Sequence, residues 1–288
     1  MPSQQIQWFP GHMAKTRRLI SENLKNVDIV IELLDARIPR SSKNPEIAAL
    51  IQNKPILTLL NKSSLADDAV TRDWIDWYKS NGGYAIKSDC ITGEGISGIG
   101  PAVKNILKDK LKRLEEKGMA GRKIKAMIVG IPNVGKSSLV NKLSGQKKAK
   151  VEDRPGVTLN KQWVATSQGF ELLDMPGVLW PKFDDRLTGE NLASTGAIKD
   201  AILDTEELGM ILAKRLLEIT PDLLCARYKL NYDEVSELDS WDLLCSIGKK
   251  RGFLISGGEI NTERTALMLL DEFRAAKIGK ISLEKPES

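Results

Sequence analysis

In Gly130-Ile131-Pro132-Asn133-Val134-Gly135-Lys136-Ser137, two glycines with four residues between them are followed by a lysine and a hydroxyl. That spacing suits a loop wrapped around a phosphate. The glycines let the backbone curl so that several N–H groups point at one anion, and a helix starting directly afterwards adds the positive end of its dipole. Lys136 is the cation expected against the β- and γ-phosphate oxygens, and the Ser137 hydroxyl is a ligand for Mg²⁺. Val134, Gly135 and Ser138 complete the nucleotide-binding run. The apolar stretch Ile124–Val129 reads as a strand before the loop and Ser137–Leu143 as a helix start after it, the context such a loop requires.

Hydrolysis of a bound triphosphate also needs a carboxylate near the metal and a group that senses the γ-phosphate. Phe170–Leu173 reads as a buried strand that delivers Asp174 to the metal shell, and Gly177 lets its N–H approach the γ-phosphate. Between these parts, Asp153–Thr158 is charged and turn-rich. Thr158 is the expected second Mg²⁺-ligating hydroxyl of a mobile switch segment; otherwise the stretch is an ordinary surface turn. Upstream, Leu57–Ser64 ends in Asn61-Lys62-Ser63-Ser64, close to the Asn-Lys-x-Asp pattern of guanine recognition. Asn61 is expected at the loop and base edge, with the Lys62 stem covering the purine. At Ser88-Asp89-Cys90, backbone N–H groups are expected on the guanine oxygen. The parts therefore run base, base, phosphate, switch, switch, a rotation of the common order in which the phosphate loop comes first.

With these motifs in this order, the sequence resembles a circularly permuted GTPase, and specifically the ribosome biogenesis GTPase A (RbgA/YlqF) family. Further residues carrying the likeness are Gln7–Met13, Leu34–Pro39 and Leu179-Trp180-Pro181. The resemblance implies an α/β fold: a circularly permuted P-loop GTPase domain with a mainly parallel sheet, then a small all-α C-terminal domain. It implies a GTP hydrolase, cycling between GTP and GDP, that acts late in assembly of the large (50S) ribosomal subunit and whose tail helps contact ribosomal RNA. A nucleotide-dependent RNA-binding scaffold, or a permuted NTPase with another client such as the small subunit, is the alternative.

Two departures shape the expected mechanism. Val178 stands where Ras-type GTPases carry a water-orienting glutamine, so slow intrinsic turnover is expected, with ribosome docking completing the site. In the resembling family the histidine of Pro10-Gly11-His12 is a candidate catalytic residue. An imidazole there is able to orient water or accept its proton, or else His12 packs or binds RNA. Ser64 stands where the family pattern has aspartate, and a lost buried hydrogen bond costs about 1–3 kcal/mol, so weaker guanine preference is expected. Related GTPases with asparagine at the position of Asn133 use K⁺ beside Mg²⁺; otherwise Asn133 serves a turn.

The elements that must position these groups follow from periodicity. Strands are expected at Asp28–Leu34, Pro55–Leu60, Tyr84–Lys87, Ile124–Val129, Gln162–Thr166 and Phe170–Leu173. Helices are expected at Ala69–Ser80, with a Val70, Trp74, Tyr78 stripe, and at Ile96–Lys117, which with the linker Gly118–Lys123 joins the rotated halves. Beyond about Pro181 leucine-rich amphipathic segments take over at Glu206–Glu218, Trp241–Ile247 and Thr262–Ile278, with Leu267, Leu270 and Phe273 as core. Residues 1–180 are read as the GTPase domain, including a mobile basic arm over 1–26, and 181–288 as the helical domain. Because the second switch runs straight into the tail, nucleotide state is expected to reposition it.

The chain has 288 residues, 43 Lys+Arg and 38 Asp+Glu, and is 41% hydrophobic, which excludes wholesale disorder. Positive charge is concentrated in 1–180, while 181–288 is net acidic although 249–280 is locally basic. That distribution permits a polyanionic partner such as ribosomal RNA. No apolar run suits a membrane span or a secretory leader, so a cytoplasmic protein, acting as a monomer, is expected. Cys90, Cys225 and Cys245 have no spacing that suggests a disulfide framework or a structural zinc site.

Overall fold

The structure is a computed structural model that describes residues 10–51, 53–119, 121–145, 163–180, 183, 185–198 and 204–287. Apolar strands form one six-stranded sheet: β1 (Ile29–Asp35), β2 (Ile56–Asn61), β3 (Ala85–Lys87), β4 (Ile124–Gly130), β5 (Trp163–Ala165) and β6 (Phe170–Asp174). Their spatial order is β3-β2-β1-β4-β6-β5. Among the described strands of this sheet, only the β5–β6 pair is antiparallel. Every residue of β1 is buried, as expected of an interior strand covered on both faces. Registers Asp35↔Asn61, Leu33↔Gly130 and Ile128↔Asp174 bring the carboxyl ends of four strands to one edge. In doubly wound sheets that edge is where ligands bind.

Helices α1 (Pro10–Leu24), α2 (Pro45–Ile51), α3 (Asp68–Ser80), α4 (Ile99–Ile106), α5 (Lys108–Glu116) and α6 (Lys136–Ser144) accompany the sheet. The Asp67 carboxylate caps α3 by accepting from the Ala69 and Val70 amides, and Val70, Trp74 and Tyr78 are its buried stripe. The helices α7 (Arg186–Ser194), α8 (Thr205–Ile219), α9 (Pro221–Tyr228), α10 (Tyr232–Val235), α11 (Ser240–Arg251) and α12 (Thr262–Arg274) follow. Here α11 and α12 pack on α8, and one apolar cluster runs from the sheet into these helices without a gap. No helix among the described residues is long and apolar enough to cross a membrane.

Four expectations are corrected. The helix expected over Ile96–Lys117 is divided at Leu107, whose φ of −94° and ψ of 8° leave the helical range. Ile99, Val103 and Leu107 are buried, whereas α5 has no buried residue, so the chain turns away once its apolar stripe is spent. The arm over 1–26 is a helix from Pro10 onwards, anchored by buried Ile20 and packed on α2. Leu267 is 43% exposed, and Leu269 takes its expected place beside Leu270 and Phe273. Finally, α12 stops at Arg274 rather than Ile278. Ala276 adopts φ 52°, and the Lys277 N–H donates to Glu272 O at 2.8 Å, closing a Schellman-type cap without the usual glycine.

After α12 the chain returns to the sheet as a strap. The amides of Ile281 and Leu283 donate to Leu65 O (3.2 Å) and Arg37 O (2.8 Å). The Glu284 carboxylate accepts from the Arg40 amide at 2.7 Å and from Asn191 Nδ2 at 2.9 Å. One carboxylate thus ties the β1 exit to α7.

Candidate nucleotide-binding site

The phosphate loop leaves β4 at Gly130 and enters α6 at Lys136. Gly135 has φ 105°, and a Cβ there would collide with Asn61 Nδ2, so both conformation and space demand glycine. Lys136 is buried and folds back on the loop, its Nζ donating to Ile131 O at 2.6 Å and Gly130 O at 3.1 Å. Burial pulls its pKa down to about 8, against the opposing pull of Asp174.

Asp174 ends β6, one strand from the loop. It is 6% exposed, and its Oδ1 has no hydrogen-bond partner among the described residues. Burial raises its pKa despite Lys136. An orphaned buried carboxylate oxygen is costly unless something charged meets it. A divalent cation suits it, since Mg²⁺ takes one or two protein oxygens together with phosphate oxygens. Asp174 and Ser137 therefore fit the group. A Cβ on Gly177 would lie 2.7 Å from Lys136 Nζ and 2.9 Å from Pro132 Cα, so only glycine permits this approach to the phosphate loop.

The base-side loops are fastened to the phosphate loop by Asn61. Its Nδ2 donates to Val134 O at 2.6 Å, and its Oδ1 accepts from the Cys90 amide at 3.2 Å. Residues 61, 90 and 134, remote in sequence, thus meet at one side chain. Cys90 is buried and its thiol pKa is pushed up to about 12, which keeps it a protonated packing group. Ser64 and Asp89 are joined by a hydrogen bond of 2.5 Å. Lys62 sits in the left-handed region at φ 60°, with its ammonium 3.1 Å from Asp35 Oδ2.

Asp35 and Arg37 belong to the Leu34–Pro39 motif, to which sequence reasoning gave no chemical role. Arg37 is 1% exposed and grips Asp35 with Nε and Nη2 at 2.9 and 2.7 Å, and Nη2 also reaches Thr195 O at 3.4 Å. Burial would raise the Asp35 pKa, but Arg37 and Lys62 hold it well below the ordinary carboxylate value. The two basic residues near an acidic strand end were the available signal; their joint use was not readable. Val178 is buried, with its N–H 3.4 Å from Gly130 O and its carbonyl accepting from Asn44 Nδ2 at 3.1 Å. Asn133 has φ 56°, and its Nδ2 donates to Gly196 O at 3.0 Å, linking the phosphate loop to the region after α7. His12 belongs to the first turn of α1, but its side chain lies outside the described residues, as does Thr158 with the rest of Asp153–Thr158.

A family model described as 50S ribosome-binding GTPase matches residues 125–224. The chain is 48% identical over 282 residues to ribosome biogenesis GTPase A of Bacillus cereus, covering 98% of this chain and 94% of that one. It is 49% identical to ribosome biogenesis GTPase A of Priestia megaterium, covering 98% and 97%. The solved structure of GNP-bound YlqF from T. maritima aligns with a TM-score of 0.64 at 24% identity, over 95% of this chain and 99% of that one, a likeness of fold. A strand order that brings residues 61, 130 and 174 to one sheet edge, together with near-half identity over almost the whole length, makes this chain a member of the ribosome biogenesis GTPase A family.

Proposed function

We propose that the protein binds GTP across the carboxyl edge of its sheet, hydrolyses it to GDP, and acts as a late assembly factor of the large ribosomal subunit. The observation that carries the nucleotide reading is the 2.6 Å hydrogen bond from Asn61 to Val134, which makes the base-side and phosphate-side loops walls of one cleft. GTP hydrolase activity in ribosome biogenesis is that of the family. The description of the family model matching 125–224 supports the large subunit as client.

In the proposed chemistry, water attacks the γ-phosphate in line with the leaving oxygen. The phosphate-loop amides and the Lys136 ammonium stabilise the charge that gathers on the phosphate oxygens. Asp174, Ser137 and Thr158 would hold Mg²⁺, which would supply positive charge against the phosphate oxygens. Gly177 brings its N–H to the γ-phosphate. Val178, apolar and packed away, has no atom for orienting water, so turnover is slow until ribosome docking presents His12 or another group. Asn61, Lys62, Ser64, Asp89 and Cys90 form the base side. K⁺ beside Asn133 is part of the same reading and is tested by comparing rates in KCl and NaCl. The basic stretch 249–280 and the exposed lysines of α5 supply salt-sensitive contacts to ribosomal RNA. The protein works as a cytoplasmic monomer.

Sedimentation of the full chain with separated subunits in a GTP analogue tests the client. Co-migration with the large subunit is expected; co-migration with the small subunit alone, or with neither, contradicts it.

A further inference from the structure

Ser64 and Asp89 form a closed hydrogen-bonded unit at the base end of the cleft. Asp89 is 1% exposed, and protein donors occupy both of its oxygens. Its Oδ1 accepts from the amides of Ile91 (2.7 Å) and Thr92 (2.9 Å). Its Oδ2 accepts from the Ser64 amide (3.2 Å) and the Ser64 hydroxyl (2.5 Å). Burial alone would raise the Asp89 pKa, but the hydrogen bonds from Ser64, Thr92 and Ile91 outweigh it and hold the group ionised. An ionised carboxylate only accepts, so the proton in the Ser64–Asp89 bond belongs to the serine.

A serine hydroxyl has one proton and two lone pairs. With that proton committed to Asp89, Ser64 Oγ has only lone pairs left to offer. Asp89 cannot itself read a base, because its oxygens are already engaged. We propose that Ser64 is the guanine-reading residue of this chain, its hydroxyl held by Asp89 as an acceptor-only group for the N1–H and 2-amino donors of guanine. The inference rests on the GTP reading of the cleft and specifies how that reading is enforced. Adenine presents a lone pair at N1 and xanthine a carbonyl at C2, so each sets acceptor against acceptor. Hypoxanthine keeps N1–H but lacks the 2-amino group. Serine in place of aspartate thus lowers the number of acceptor oxygens without reversing their polarity, which a free hydroxyl would not guarantee.

Equilibrium binding of GDP, IDP, XDP and ADP tests this with the full-length protein, Ser64→Ala and Asp89→Asn. For the unaltered chain GDP is expected to bind tighter than IDP, and both far tighter than XDP or ADP. Ser64→Ala is expected to weaken GDP by about tenfold, to bring the GDP/IDP ratio close to one, and to leave ADP unchanged. Asp89→Asn releases the serine proton, so XDP gains relative to GDP; its melting curve shows whether the loop still folds, and the alanine variant carries the test if it does not. Unchanged GDP affinity and an unchanged GDP/IDP ratio in Ser64→Ala overturn the role of Ser64. Equal affinity of the unaltered chain for ADP and GDP overturns instead the guanine reading of the cleft itself.

Discussion

At the scale of single residues, the site is built from groups whose charge is set by burial. Lys136, with a pKa near 8, is partly neutral in the free protein just above that pH. Polyphosphate beside it favours the ammonium and raises its pKa, so nucleotide binding takes up a proton there. Calorimetry at about pH 8.5 in buffers of different ionisation enthalpy is expected to show roughly half a proton or more taken up, and far less at about pH 6.5. Equal uptake at both values would show that the amine is not depressed. The same shift makes the free protein gain stability as pH rises from the folded value towards the unfolded one, because there the unfolded chain binds more protons. Asp174 has the opposite problem, a buried carboxylate with one oxygen unmet among the described residues. Asp174→Asn removes the charge but keeps the shape, and is expected to abolish the Mg²⁺ dependence of nucleotide affinity in titrations with and without chelator; retained Mg²⁺ dependence would remove Asp174 from the metal site.

At the scale of elements, the rotated chain needs a join that holds as firmly as any native connection. Asp28, just before β1, supplies it. Its Oδ1 accepts from Lys110 Nζ of α5 at 2.7 Å and from Arg122 at 3.3 Å, and its Oδ2 accepts from the Lys125 amide in β4 at 2.9 Å. Burial raises the Asp28 pKa, but these partners win and leave it below the ordinary value. Its contribution is present above the unfolded carboxylate pKa and disappears as pH falls through the folded one. Because Lys110 and Arg122 are half in water, Asp28→Asn is expected to cost only about 1 kcal/mol in denaturant unfolding, with nucleotide affinity unchanged. A loss of nucleotide binding would mean the join also shapes the cleft. The strands and the phosphate loop were legible because each is written in contiguous residues: an apolar run, then glycines, then Lys136. The break at Leu107, the cap at Ala276 and the Asp28 join were not, since each depends on which partners the fold brings up. The Ser64–Asp89 bond was hidden for the same reason, its two ends lying 25 residues apart in sequence.

At the scale of the whole molecule, the helices after β6 are bound to the sheet edge that carries the site. Asn133 reaches Gly196, Arg37 reaches Thr195 and lies 5.5 Å from the Phe273 ring centroid, and the C-terminal strap passes Leu65 beside the base loop. The nucleotide contacts proposed for Asn133 and Lys62 would therefore act on groups that also hold the helical part. Removing Arg37 leaves buried Asp35 with Lys62 as its remaining cation. Arg37→Met is expected to lose about 3 kcal/mol of unfolding free energy and to raise hydrogen exchange across residues 186–198; a change below about 0.5 kcal/mol would show the ion pair to be dispensable. All of this depends on one nucleotide spanning distant stretches of chain. The most direct measurement is a crystal structure with Mg²⁺ and a non-hydrolysable GTP analogue. The expected result is a single nucleotide with its phosphates on residues 130–137, its metal at Ser137 and Asp174, and its guanine edge at Ser64. A base bound in any other cleft, or phosphates away from Lys136, would contradict it.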